Sequence, residues 1–152
     1  EKRKVNLTRM LEQLIFEFQP MLVAKKLECK LEAEMDVYWR CDVDKMQRAF
    51  DNLLRNAVNY SFSDQVITIT LDKVNDMLLL KFINSGNTIP QEKLERIFEQ
   101  FYRLDTSRGT NSGGAGLGLA ITKEIIELHQ GKIQVTSEND QICFWVELPL
   151  LQ

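Results

Sequence analysis

The sequence predicts an α+β fold, a two-layer sandwich in which a mixed, mostly antiparallel sheet is covered on one face by helices. Three observations carry that reading. Apolar residues recur at helical spacing in several segments; β-rich runs come in pairs around Asn75-Asp76 and Asn139-Asp140; and helices and hairpins alternate along the chain.

Leu7, Leu11, Leu14, Ile15, Phe18 and Leu22 mark an amphipathic helix over residues 7–25, disturbed near Pro20. Leu27, Cys29 and Leu31 alternate with charged residues, as do Val37, Trp39 and Cys41 with their neighbours, which predicts two half-buried strands joined by an acidic connection. Asp42 or Asp44 is the expected cap of a second helix over residues 44–60, with Met46, Ala49, Phe50, Leu53, Leu54, Ala57 and Val58 on its core face. Residues 66–74 and 77–83 form an antiparallel pair about Asn75-Asp76. Thr88 with Pro90 opens a third helix, whose Leu94, Ile97, Phe98 and Phe101 fall at helical spacing, Phe98 and Phe101 being expected in the core. The apolar pattern stops from Leu104 to Gly114, which reads as a mobile loop. A fourth helix begins near Gly116, buries Leu119, Ile121, Ile125, Ile126 and Leu128, and ends in a left-handed turn at Gly131. Ile133 and Val135, then Ile142, Phe144 and Val146, form a closing hairpin.

The chain has 152 residues, enough for one core, and residues 1–152 are expected to form one domain. Apolar residues at 44% and charged residues at 27% match a globular protein rather than a disordered one. A net charge of -3, with both signs interspersed, provides no basic field for nucleic acid. Cys29, Cys41 and Cys143 show no paired spacing and read as reduced core residues. No apolar run reaches the roughly 18 residues of a membrane span and no signal-peptide pattern follows the first residues, so the chain is expected not to bind membranes and to be monomeric.

Four groups of residues carry chemistry. On the second helix Asn52, Asn56, Asn59 and Tyr60 share one face, a row of amides beside an aromatic ring at a cost in helix propensity. The turn Gly113-Gly114-Ala115-Gly116-Leu117-Gly118-Leu119 runs straight into a helix, whose free N–H groups and partial positive charge suit a phosphate. Its spacing matches neither the Walker loop nor the Rossmann fingerprint. At the end of a buried strand, Asn84 is placed to bond the edge of a base, with Gly86 for clearance and Ile89 for apolar surface. Arg103 follows an aromatic segment containing Tyr102 and precedes the loop, where it suits a phosphate clamp. His129, the only histidine, lies near a helix end and reads as structural.

In this order these groups resemble the histidine kinase ATP-binding domain, of the wider family shared with gyrase B, heat-shock protein 90 and MutL. Residues 52–61 look like the family's asparagine box, 84–90 its first glycine box, 98–103 its phenylalanine box, and 114–119 its second glycine box. Residues 84–90 and 113–119 are similar also to the vancomycin-resistance sensor kinases. The resemblance implies the Bergerat-type ATP-binding fold. It also implies ATP and Mg²⁺ as ligands, with Asn56 offering its amide oxygen to the metal and Asn52 and Asn59 near the phosphates. Tyr60 would stack on the adenine, Asn84 would read its amino group and Ile89 would pack near it. Gly114, Gly116, Leu117, Gly118 and Leu119 would cradle phosphates, and Arg103 would stabilise the γ-phosphoryl group beneath a lid over residues 104–113.

The implied reaction is phosphoryl transfer to a histidine on a separate dimerisation domain of the same parent protein, then relay to a response-regulator aspartate. The implied setting is a cytoplasmic domain of a membrane-anchored parent. Some positions depart from the family pattern. Asn84 replaces a usual Asp, Thr88 a frequent Gly, Asn59 a frequent Lys, and Gln141-Ile142-Cys143 a usual Gly-Thr or Gly-Ser pair, which implies a modest ATP affinity. Hydrolysing relatives carry a glutamate four residues before the metal-binding asparagine; that position is Asn52 here, so transfer is expected over hydrolysis.

Overall fold

The computed structural model describes residues 1–104 and 118–150. The elements run β1 (Lys2–Asn6), α1 (Leu7–Glu17), α2 (Gln19–Ala24), β2 (Glu28–Ala33), β3 (Tyr38–Asp42) and α3 (Val43–Tyr60). After them come β4 (Val66–Val74), β5 (Met77–Ser85), α4 (Gln91–Leu94), α5 (Gly118–Leu128), β6 (Lys132–Glu138) and β7 (Gln141–Pro149). Five strands form one sheet in the order β2-β4-β5-β7-β6, antiparallel throughout except for the parallel β2/β4 pair. The mixed, mostly antiparallel sheet covered by helices is as the sequence predicts.

Period-two alternation places the core. On β5, Leu78, Leu80, Phe82 and Asn84 are buried while the residues between them are half-buried, so this central strand turns one row toward the helices. Phe50 of α3 stacks on Phe82, ring centroids 6.1 Å apart. α3 starts where Asp42 accepts from the Lys45 N–H at 3.1 Å, a cap worth about 1 kcal/mol. Pro20 opens α2 rather than kinking one long helix, since its missing N–H is harmless in a first turn.

Four points add to or change these expectations. β2 and β3 do not pair with each other: β3 joins β1 in a separate two-stranded ribbon, which Trp39 ties to the main sheet by donating to the Pro149 carbonyl at 2.8 Å. The third helix is a single turn, followed by bonds from Arg96, Ile97, Glu99 and Tyr102 back to carbonyls three residues earlier. That run ends at Phe101, whose φ of 66° reverses the chain and leaves its ring 67% exposed instead of in the core. Leu128 is also exposed, at 54%.

The fourth point concerns the end of α5. The left-handed residue is Gln130, φ 60°, and the Gly131 N–H returns to Ile126 at 2.9 Å. Gly131 is needed for space, because a side chain there would meet the Glu147 carbonyl and Leu148. The three cysteines are free, and burial pushes the Cys29 thiol up to about 12 and those of Cys41 and Cys143 to about 11, as inert core residues require. Among the described residues no helix is long and apolar enough to cross a membrane.

Candidate functional site

The seven-residue span from Asn52 to Asn59 is almost two helical turns, so their side chains leave α3 in one direction, beside its Leu and Phe stripe. α5 packs along that edge of α3, and between them lies a cleft lined by Asn52, Asn56, Asn59, Tyr60, Arg103 and Gly118. Tyr102, Leu119, Arg55, Ile97 and Leu104 complete it. The structure thus brings together every expected phosphate-side and metal-side residue among those it describes. Gly114, Gly116, Leu117 and the lid over 105–113 lie outside the described residues.

Arg55, Ile97 and Leu104 were missed. Arg55 was within reach of the sequence, standing three residues after Asn52 and therefore on its face. Its guanidinium bonds Asp51 at 3.0 Å and lies 5.2 Å over the Phe18 ring. Among the described residues of the lining, Arg55 and Arg103 are the charged side chains and none is acidic. In a chain of net charge -3 this makes the cleft a local site for anions.

Asn52 differs from its two neighbours. Its side-chain N–H groups donate to the Gly118 carbonyl at 3.1 Å and to the Thr122 hydroxyl at 3.2 Å, and that hydroxyl donates to Gly118 at 2.8 Å. A carboxamide has two donors, so both are spent on the first turn of α5. The amide nitrogen thus holds the start of α5, and Oδ1 is the atom left to meet a ligand. Asn56 and Asn59 make no side-chain hydrogen bond among the described residues.

Asn84 does not line the cleft; it lies near the end of β5, its amide nitrogen beside Gly86, which packs against the Tyr60 carbonyl. Asn84 is 1% exposed, and both atoms of its amide lack a hydrogen-bond partner among the described residues. Leaving such groups unmet costs about 1–3 kcal/mol each, so this amide calls for a partner beyond the described residues. Gly86 provides clearance, but for protein: a Cβ there would collide with the Tyr60 carbonyl. Ile89 is 8% exposed and belongs to the core, so it can offer a base a floor rather than an open wall.

The loop carrying these residues is clasped from the β6/β7 turn. Thr88 donates its N–H and hydroxyl to the Asp140 carboxylate at 3.2 and 3.0 Å, its hydroxyl accepts from the Asp140 N–H at 2.7 Å, and Ile89 donates to Ser137 at 2.9 Å. Thr88 therefore fastens the loop instead of capping α4. His129 is structural as expected: Nδ1 bonds the Ile125 carbonyl at 2.9 Å and Nε2 accepts from the Asp42 N–H at 3.1 Å.

A helix-covered mixed sheet with an amide-lined, cationic cleft at the start of a helix defines a nucleotide-binding class of domain. Residues 41–152 match the family model described as histidine kinase-, DNA gyrase B-, and HSP90-like ATPase, and the chain belongs to that family. It is 44% identical to the sensor protein VanSC of Enterococcus gallinarum over 95% of this chain, and 43% identical to the sensor protein VanS of Enterococcus faecium over 99%. The chain spans 40% and 39% of those two proteins. The catalytic domain of histidine kinase ThkA superposes with a TM-score of 0.87 at 27% identity, over 99% of this chain and 96% of that one. ThkA has also been solved in complex with response regulator protein TrrA, where it is 24% identical to this chain over 98% of it and 42% of ThkA, with a TM-score of 0.82.

Proposed function

We propose that this chain binds ATP between α3 and α5 and transfers its γ-phosphoryl group to a histidine on a separate dimerisation domain of the same parent protein, for relay to a response-regulator aspartate. The observation that carries this reading is the pairing of a cleft whose described lining holds three asparagines, two arginines and no acid with a buried Asn84, beside Gly86, whose amide has no hydrogen-bond partner among the described residues. Polyphosphate suits the first and the edge of a base suits the second.

In this reading Asn84 meets the adenine edge, Tyr60 stacks on the ring, and Ile89 underlies it. Gly118 and Leu119 present the start of α5 to phosphate oxygens, in a position that Asn52 and Thr122 hold. Arg103 faces the charge that develops on the transferred group. The donor set fits Mg²⁺: no group of three or more His, Cys, Asp or Glu is gathered among the described residues, but Asn56 has an unengaged amide oxygen, and this ion is commonly held by one or two protein oxygens with phosphates and water. When bound, the ion would neutralise phosphate charge.

An imidazole nitrogen attacks with its own lone pair, so an N–P bond forms as the bond from the γ-phosphorus to the β,γ-bridging oxygen breaks and ADP leaves. The cleft needs no carboxylate base for this, and its described lining has none to activate water. The chain's similarity to sensor proteins supports a signalling role, which we place on the cytoplasmic side of a membrane-anchored parent. The test is to mix the domain with a separately produced histidine-bearing dimerisation domain and γ-labelled ATP. Label on the acceptor's histidine is the expected outcome; label released as inorganic phosphate, with none on the acceptor, would make the chain a hydrolase.

A further inference from the structure

The terminal turn of α3 is the part of the cleft with the most demanding backbone. Asn56, Asn59 and Tyr60 all project from it, yet the last carbonyls of any helix lack intrahelical partners. Here side chains meet three of them. The Ser61 hydroxyl donates to Ala57 at 2.6 Å, the Tyr60 carbonyl packs against Gly86, and Ser61 itself leaves the helix in an extended conformation. The others converge on one side chain from a distant element. Lys25, the residue that closes α2, sends its ammonium to the carbonyls of Val58 at 2.7 Å, Asn59 at 3.0 Å and Ser61 at 3.3 Å.

We infer that Lys25 is a positioning residue for the nucleotide site: its three donors fix the last turn of α3 so that Asn56, Asn59 and Tyr60 face the cleft together. An ammonium has three N–H groups, and all three are used on one helix end, where a positive charge also opposes the negative end of the helix dipole. Burial lowers the Lys25 pKa from its ordinary value. Lys25 does not line the cleft, so it acts only through the backbone it holds.

The inference rests on the nucleotide-binding reading, and the test separates the two. Lys25→Met keeps most of the apolar stem and removes every donor, while Lys25→Arg restores a cation with several. Affinity for a non-hydrolysable ATP analogue is measured by calorimetry well below each melting temperature, alongside hydrogen exchange at the amides of residues 58–61. Leu31→Ala, in the edge strand β2, serves as a control for general loss of stability. Lys25→Met is expected to bind about tenfold more weakly with faster exchange, Lys25→Arg to recover most of the affinity, and Leu31→Ala to stay within about twofold of the parent chain. Parent affinity in Lys25→Met, or an equal loss in Leu31→Ala, overturns the positioning role alone. No binding by the parent chain refutes the nucleotide reading, and this inference with it.

Discussion

The two faces of α3 do different work. On one, Met46, Ala49, Phe50, Leu53, Leu54, Ala57 and Val58 are at most 3% exposed and join the helix to the sheet. On the other, Asn52, Asn56 and Asn59 are half-buried residues of low helix propensity, two of which make no side-chain hydrogen bond among the described residues. The first face accounts for the fold; on the second Asn52 fastens α5, while Asn56 and Asn59 have no such justification among the described residues. Groups that weaken a helix and satisfy nothing inside the protein are best explained by what they meet from outside.

Substitutions should separate the faces. The largest effect is expected from Phe50→Ala, which empties the contact with Phe82 and should destabilise the domain by about 3–5 kcal/mol in denaturant titration. Asn56→Ala should leave stability within about 0.5 kcal/mol, because nothing internal depends on that amide. Its Mg²⁺-dependent binding of nucleotide should nonetheless fall by about tenfold or more, measured by calorimetry with and without the ion. Asn84→Leu should change stability in the opposite direction, raising it by about 1–2 kcal/mol as two unmet polar atoms leave the interior, while nucleotide binding is lost. A melting temperature that falls with Asn84→Leu would mean that Asn84 supports the fold rather than a ligand.

The same contrast explains what could be read from the sequence. α3 was legible on both faces because helical periodicity projects directly onto space, and Asn52, Asn56, Asn59 and Tyr60 meet in the cleft as their spacing requires. β5 was legible as a β-rich run paired about Asn75-Asp76, but it extends past the expected residues 77–83 to Ser85 and buries Asn84, which was expected at the strand's mouth. β1 was not: Lys2-Arg3-Lys4 has no strand pattern and is extended because β3 pairs with it. The helix expected over 90–101 was over-read, since spacing alone does not reveal that Phe101 adopts a positive φ and turns outward. Asn52 was identified, but its partner Thr122, 70 residues away, was not, so its structural duty stayed hidden. Lys25 gave no signal, because its meaning lies in carbonyls 33 to 36 residues further on.

The account stands on the cleft being a nucleotide site. Its most direct test is calorimetric titration of the purified chain with a non-hydrolysable ATP analogue, with and without Mg²⁺. Saturable binding at one site, tightened by the ion, is the predicted result; no heat of binding at millimolar nucleotide would contradict it.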